Sequence, residues 1–324
     1  MIAWLQIARI ANLPSAASNI LVAYLLAHGS WGGGWTLAAL LGASCAIYTA
    51  GMILNDWADA TRDAKHRPER PIPSGRIARS QAFMAAAGLL LAGLVLAVTA
   101  GLLSGQESPT GFNARPVTVG ALLVVAIWLY DVVCKPMWFA PLLMGLCRGL
   151  NVLLGASTVP PHLIEPSAWA VPNIVWIVAA AIACYTSGVT WLARRESEPS
   201  LATHPQIRTE KVISLLSVAV AFLLLAGVFF WTQPALGAVA GQPRTNFLIL
   251  LGVTALVVIR RIVAAIASSE PTTTILAVVT SLRSMMMIDA ALCWGASMGA
   301  VTPPLTIISL LAVSVLLGLV SRQT

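Results

Sequence analysis

The sequence predicts an all-α membrane protein, a bundle of nine to ten transmembrane helices. Apolar residues make up 58% of the 324 positions and charged residues only 10%, whereas soluble domains have about 45–50% apolar and about 25% charged residues. The mean hydropathy is +0.85. Such a chain cannot cover its surface with polar groups, so a water-soluble domain is excluded. We expect one integral, multi-pass domain over residues 1–324, surrounded by lipid in a bacterial inner membrane.

Ten apolar runs approach the length of about 20 residues that a helix needs to span hydrocarbon. The run 10–28 is interpreted as a retained span and not as a cleaved signal, because its long apolar stretch follows the small residues around Ser15. The run 272–299 contains Arg283 and Asp289, so nine spans plus a surface helix is the alternative. The predicted spans are 10–28, 35–56, 81–104, 116–134, 140–159, 169–193, 211–231, 245–267, 272–299 and 303–321.

The basic residues predict an N-terminus on the cytoplasmic side, where loops are richer in Lys and Arg. In that orientation only Arg115 and Arg244 of the 19 Lys and Arg residues lie outside, and two more lie at membrane depth. Most of the charge falls in the cytoplasmic segments 55–80 and 194–211, which are predicted to form a polar cap. The net charge of +7 therefore reflects topology, and no nucleic-acid partner is expected because the basic loops lack interleaved aromatic residues.

An aspartate motif follows the second predicted span. Asp56, Asp59 and Asp63 are spaced three and four residues apart, so they share one face of a helix. They lie at its C-terminal end, where the helix dipole already presents negative charge, and a cation must offset the repulsion. One interpretation is a solvated helix end paired with Arg62 and Lys65. The other is a divalent site, and ligands that are all oxygen favour Mg²⁺.

A proline-rich basic segment comes next, with the sequence Arg67-Pro-Glu-Arg70-Pro-Ile-Pro-Ser-Gly75. Its three prolines stiffen the chain and restrict where Arg67 and Arg70 point. The planar guanidinium suits phosphate oxygens. The basic residues alone are also explained by cytoplasmic topology, but the prolines and the adjacent acidic motif are not. Together the two motifs predict a site for a metal-chelated diphosphate.

The aspartate motif and the segment Arg70–Gly75 together resemble the UbiA superfamily, intramembrane prenyltransferases with bundles of typically nine helices. Two further segments are similar to the family: Tyr130-Asp-Val-Val-Cys-Lys135 resembles the end of its fourth helix, and Arg148-Gly-Leu-Asn151 resembles a segment of its fifth helix. The segments Gly188–Glu196 and Arg283–Asp289 resemble the branch called EboC. The resemblance covers most of the chain.

The resemblance implies ionisation of an allylic diphosphate on Mg²⁺, followed by capture of the carbocation by an aromatic or other small acceptor. The basic and amide side chains of the motifs act as hydrogen-bond donors without losing a proton, and the sequence indicates no general base. Catalytic roles are predicted for Asp56, Asp59, Asp63 and Lys135. Substrate binding is predicted for Asn55, Arg67, Arg70, Arg148, Asn151 and Glu196.

One departure from the family pattern concerns its second aspartate motif. Residues 191–200 contain no aspartate, and Glu196 is the best substitute as a metal ligand, with Glu198 next. Arg148 has a second interpretation, because it could pair with Asp131 instead of binding substrate. The alternative functions are a transporter or binding scaffold that has lost catalysis, and another membrane enzyme of diphosphate chemistry such as a phosphatase.

Overall fold

The computed structural model describes residues 2–106, 110–160, 171–194, 205–231, 242–268, 270–297 and 300–322, which form helices joined by turns and contain no strand. A short helix α1 and a 3-10 turn precede ten longer helices. The elements are α1 (Ile2–Ile7), the 3-10 turn (Ile10–Asn12), α2 (Leu13–His28), α3 (Gly34–His66), α4 (Arg79–Ser104), α5 (Arg115–Trp128), a π-helical turn (Leu129–Cys134), α6 (Ala140–Ala156), α7 (Asn173–Ala193), α8 (Pro205–Trp231), α9 (Gln242–Ala267), α10 (Pro271–Ala296) and α11 (Thr302–Arg322).

Each of the ten predicted spans corresponds to one of the ten longer helices, which confirms the all-α transmembrane fold. Within the described residues, nine segments are long and apolar enough to cross a membrane. The tenth helix, α6, has only 17 residues and is therefore about 26 Å long at 1.5 Å per residue. The predicted span 140–159 thus ends earlier, at Ala156.

Helix α10, for which a surface position was the alternative, lies inside the bundle and is not a surface helix. In the most apolar stretch of α10, 61% of the residues are buried, the same share as in α7, whereas the share in α11 is 22%. Of the two charged residues that prompted this alternative, Asp289 is 1% exposed. Its Oδ2 accepts hydrogen bonds from Ser18 Oγ at 2.5 Å and Asn19 Nδ2 at 2.9 Å, both on α2. These donors satisfy part of the carboxylate's need for partners, so α10 can bury it.

Helix α6 occupies the centre of the fold because two of its glycines permit close contact. A Cβ on Gly145 would lie 2.2 Å from Ser187 Oγ and 2.4 Å from the carbonyl oxygen of Ala183, both on α7. A Cβ on Gly155 would lie 2.8 Å from the carbonyl oxygen of Ile20 on α2. Small residues at such crossings let membrane helices approach closely. Helix α6 therefore packs tightly between α2 and α7.

The buried apolar side chains form two clusters that meet along α2 and α6. One cluster, which includes Ile20 and Leu154, extends over α3, α4 and α5. The other, which includes Val22 and Val152, extends over α7, α8, α9 and α10. The two helices therefore form the seam between the two parts of the bundle.

Candidate functional site

The aspartate face is formed by an extension of α3, which continues as helix to His66, well beyond the predicted end of the span at residue 56. Asp56, Asp59 and Asp63 point to one side and are buried, with 8%, 8% and 4% exposure. The interpretation as a solvated helix end therefore does not describe the structure. The three carboxylates lie under basic side chains that come from distant parts of the chain.

Two arginines hold the outer ends of this face. Arg70 Nη1 lies 2.7 Å from Asp63 Oδ2 and 3.6 Å from Asp56 Oδ1. Arg9 Nη2 donates to the same Asp56 oxygen at 3.2 Å. Arg70, in the segment after α3, and Arg9, before α2, therefore converge on Asp56.

The central carboxylate has its own basic partners. Lys135 Nζ donates to Asp59 Oδ2 at 2.5 Å, and Arg62 Nη2 lies 3.3 Å from the same oxygen. Lys65 makes no ion pair with the described residues. Four basic side chains thus supply the positive charge that the three aspartates require. Of these four, only Arg62 is a partner in the interpretation of the motif as a solvated helix end.

Arg9 was not predicted to belong to the site. Its backbone has φ 43° and ψ 49°, and among the described residues it is the one non-glycine with positive φ. Residues held in this sparsely populated region cluster at functional sites. Burial is the largest single influence and disfavours its charged form, but Asp56, Tyr48 and Asp131 together outweigh it, so the pKa of Arg9 is raised. No local pattern signals this role, because Arg9 and Asp56 are 47 positions apart.

The proline-rich segment is folded into consecutive turns. The backbone N–H of Arg70 donates to the carbonyl oxygen of Arg67 at 3.1 Å, and that of Ser74 donates to the carbonyl oxygen of Arg70 at 2.9 Å. Arg76 closes the segment through hydrogen bonds to the carbonyl oxygen of Glu69 and to Ser74. Arg67 is half-buried and makes no ion pair with any described residue. Its guanidinium is therefore available to an anion.

Part of this cluster lines a cavity of about 500 Å³, which we call the polar cavity, and of the three aspartates Asp59 lies in its wall. Its charged lining includes Arg9, Asp59, Arg67, Arg70 and Lys135, and it extends to Arg194 at the end of α7. This volume lies within the range of about 300–1,000 Å³ that is usual for ligand sites. A site of this size with an excess of cations suits a multiply charged anion.

A second, narrower cavity of about 50 Å³ lies deeper between α3, α5 and α6, and we call it the inner cavity. Its exposed lining is almost entirely apolar, although polar side chains such as Tyr48 and Arg148 lie in its wall. Met52, Tyr130 and Met144 line both cavities. The two cavities therefore adjoin at these three residues.

The π-helical turn Leu129–Cys134 lies at this junction. Such turns are rare and are frequent at functional sites. Asp131 within it is 5% exposed and lines the inner cavity. Its Oδ1 accepts a hydrogen bond of 2.6 Å from Asn55 Nδ2. Asn55, predicted to bind substrate, thus holds a carboxylate.

Arg148 does not pair with Asp131 in the described structure. It donates to Ser15 Oγ at 3.0 Å and to Asn19 Oδ1 at 3.4 Å, and it lies 5.0 Å from the ring centre of Tyr48. Because neutral groups are its partners, its charge is available at the wall of the inner cavity. Its role in substrate binding stays a prediction.

Asn151 also lines the inner cavity, but its amide is engaged in packing. Its Nδ2 donates to the carbonyl oxygen of Ala16 at 3.0 Å, and its Oδ1 accepts from Ser44 Oγ at 2.6 Å. These bonds tie α6 to α2 and α3, which favours a structural contribution. The remaining predicted site residue, Glu196, lies outside the described residues, as does Glu198.

The donor chemistry of the aspartate face fits Mg²⁺, although the described residues contain no group of three His, Cys, Asp or Glu side chains arranged around one point. One oxygen of each carboxylate is engaged: Oδ1 of Asp56 and Oδ2 of Asp59 and Asp63. The second oxygen of each makes no ion pair with a described residue. Hard carboxylate oxygens are the ligands that Mg²⁺ prefers.

A model of the UbiA prenyltransferase family matches residues 16–273 of the chain, which is most of its length. The chain belongs to the UbiA prenyltransferase family. It is also similar in fold to two solved proteins of related description. One is a digeranylgeranylglyceryl phosphate synthase (TM-score 0.63, 17% identity, 91% of this chain and 98% of that one). The other is a UbiA homologue from Aeropyrum pernix (TM-score 0.60, 16% identity, 86% and 96%).

Curated relatives match over shorter stretches. A digeranylgeranylglyceryl phosphate synthase from Methanopyrus kandleri is 34% identical over 131 residues, 40% of this chain and 43% of the relative. A 4-hydroxybenzoate octaprenyltransferase from Pectobacterium atrosepticum is 22% identical over 191 residues, 56% and 60%. A bacteriochlorophyll synthase chain from Cereibacter sphaeroides is 37% identical over 110 residues, 32% of each. The matched stretches therefore span about a third to three fifths of these relatives.

Proposed function

We propose that this chain is a magnesium-dependent prenyltransferase that transfers an isoprenyl group from a prenyl diphosphate to a small acceptor, aromatic or other. The observation that carries the proposal is the junction of two chemically different cavities. A cationic cavity with an adjacent carboxylate face suits the diphosphate, and an apolar cavity suits an isoprenoid chain. Membership of the UbiA prenyltransferase family supports the same reaction.

The diphosphate would lie in the polar cavity, held by the basic side chains that line it. The guanidinium of Arg67 makes no ion pair with a described residue. Arg70 and Lys135 are paired with aspartates. When an anion enters, these cations can turn from the carboxylates to its oxygens. Positive charges fixed where the leaving group gains negative charge lower the barrier to ionisation.

Asp56, Asp59 and Asp63 would hold Mg²⁺ through the oxygens that the ion pairs leave open. When bound there, the metal neutralises charge on the leaving diphosphate. Glu196 stays the proposed ligand from the second motif. The exchange of partners, from basic side chains to metal, would couple metal binding to diphosphate binding.

The isoprenoid chain would begin in the inner cavity, beside lipid. At about 50 Å³ this cavity is too narrow for a long chain, so neighbouring side chains must move to admit it. Met52 and Met144 stand at its entrance, and methionine is unbranched and adapts easily. Arg148 in its wall would contact a polar group of the acceptor. The different acceptors in the names of the matched relatives are consistent with a shared donor site and a variable acceptor site.

The topology proposed from the basic residues places the polar cavity at the cytoplasmic face, where prenyl diphosphates and Mg²⁺ are soluble. Helix α3 ends at this face and α4 begins there. We propose residence in a bacterial inner membrane with the N-terminus inside.

The test is release of inorganic diphosphate from geranyl or farnesyl diphosphate by the purified protein in detergent. We expect release that requires Mg²⁺ and falls at least a hundredfold in Asp56→Asn and Asp59→Asn, because each change removes a charge from the metal site. Glu270→Gln, at the N-cap of α10 and outside the lining of both cavities, should leave the release unchanged. Full activity in both aspartate variants would contradict the assignment. Binding without turnover would favour the scaffold alternative.

A further inference from the structure

The proposed transfer needs a group that accepts the proton of the acceptor, and the aspartate face is unsuited to that task. Asp56, Asp59 and Asp63 are each in an ion pair within the described structure and each is assigned to metal. A carboxylate held by cations is a weak base. The base must be sought among side chains that face the reacting carbon and make no ion pair.

Asp131 meets this description. It is in no ion pair among the described residues, and the hydrogen bond from Asn55 engages only its Oδ1. Its Oδ2 accepts no hydrogen bond from a described group, yet it is not among the buried polar atoms that lack a partner. Since Asp131 lines the inner cavity, we infer that Oδ2 faces that cavity.

The position of Asp131 is set from two sides. The π-helical turn shifts the register of the helix after Trp128, and such turns re-aim side chains at functional sites. Asn55, which lines the polar cavity, fixes the carboxylate through the 2.6 Å hydrogen bond to Oδ1. The neighbouring Tyr130 lines both cavities. Asp131 therefore stands at the junction of the two cavities.

That junction is where the reacting carbon must lie. A prenyl diphosphate with its phosphates in the polar cavity and its chain in the inner cavity crosses from one to the other at its first carbon. The acceptor must approach the same carbon from the apolar side, because the diphosphate occupies the polar side. A base that serves the acceptor therefore has to lie in the wall of the inner cavity near this crossing.

We propose that Asp131 is the catalytic base of the reaction, an assignment that rests on the proposed prenyl transfer. The bond between the first carbon and the diphosphate oxygen breaks, and its electron pair leaves with the diphosphate. An electron pair of the acceptor forms the new bond to that carbon. The acceptor's proton passes to Oδ2 of Asp131, and it then leaves through the polar cavity to water. Asn55 is a positioning residue that keeps Oδ2 turned toward the inner cavity.

The two halves of the reaction can be measured separately with water as the acceptor. Geranyl diphosphate labelled with ¹⁸O at the bridging oxygen reports ionisation, because reversible cleavage moves the label to non-bridging positions. Release of prenyl alcohol reports capture by water. The proposal predicts that Asp131→Asn lowers the ratio of alcohol release to label exchange at least tenfold. Asp131→Glu, which restores a base, should recover part of that ratio.

Three controls separate the explanations. Val133→Ala alters the exposed side of the same π-helical turn, where Val133 is 48% exposed, and should leave the ratio unchanged. Asp59→Asn should reduce exchange and alcohol release together. Thermal unfolding in detergent verifies that each variant is folded. An unchanged ratio in folded Asp131→Asn would overturn the base assignment, whereas a wild-type protein that shows neither reaction would contradict the proposed function itself.

Discussion

Arg70 lies 2.7 Å from Asp63 and 3.6 Å from Asp56, so one guanidinium from the proline-rich segment bridges two carboxylates of α3. The three prolines restrict the backbone around Arg70, and its side chain is only 24% exposed. The same residue pairs with the aspartates and can turn to the oxygens of a bound diphosphate.

Removal of this bridge should weaken both substrate binding and the fold. In Arg70→Gln the buried Asp63 loses a charged hydrogen bond, a type of contact worth about 1.5–3 kcal/mol. We expect a lower unfolding temperature in detergent and at least tenfold weaker binding of farnesyl diphosphate. Lys65→Gln is the matched control, because Lys65 is an exposed basic residue near the end of α3 that makes no ion pair with a described residue. Equal effects in the two variants would show that only net charge matters.

The pair Lys135 and Asp59, 2.5 Å apart, should be strongly coupled. Asp59→Asn and Lys135→Met should each slow diphosphate release, and the double variant should be less impaired than the product of the two effects predicts. Contacting charged residues show coupling energies of about 0.5–3 kcal/mol in double-mutant cycles. Additive effects on the rate would mean that the two side chains act independently.

Close contact between α6 and α7 should make Gly145 intolerant of a side chain. Gly145→Ala would place its Cβ 2.4 Å from a backbone carbonyl, and overpacking of this kind costs about 1–3 kcal/mol. Gly252→Ala on α9 is the matched control, because its Cβ would meet nothing within 4 Å. Unfolding in detergent should show lower stability for Gly145→Ala. It should show no loss of stability for Gly252→Ala, since alanine favours helix over glycine by up to about 1 kcal/mol. Equal stability of the two variants would refute the packing argument.

The link between Arg148 and Asp289 runs through Asn19, which accepts from one and donates to the other. Asn19→Ala removes one partner from the half-buried Arg148 and one from the buried Asp289, and loss of a partner costs a buried group about 1–3 kcal/mol. Asn12→Ala, at a helix start where the side chain makes no capping hydrogen bond, is the control. We expect destabilisation in detergent only for Asn19→Ala. If both variants unfold at the same temperature, the contacts of Asn19 with Arg148 and Asp289 do not stabilise the fold.

Much of the fold was predictable because hydrocarbon imposes a simple rule on sequence. Each apolar run became a helix, and the spacing of Asp56, Asp59 and Asp63 already placed them on one face. Local patterns could not show the partners of that face. Arg9 is 47 residues from Asp56, and Asn55 is 76 residues from Asp131, so these contacts arise only from helix packing.

Two helices and one turn have features that hydropathy alone does not indicate. Helix α10 looked doubtful because it carries a carboxylate, but hydrogen bonds from α2 make burial of Asp289 acceptable. Helix α6 ends three residues before the predicted boundary, at Ala156, and Ser157 caps it. The π-helical turn at Leu129–Cys134 has no signal in hydropathy, since its residues are as apolar as those of an ordinary span.

The most direct test of the central claim is equilibrium binding of farnesyl diphosphate to the purified protein in detergent, with and without Mg²⁺. The account predicts binding that strengthens at least tenfold with Mg²⁺ and loses this dependence in Asp59→Asn, while Glu270→Gln behaves as wild type. Absence of binding by folded protein, or binding that is the same with and without Mg²⁺, would contradict it.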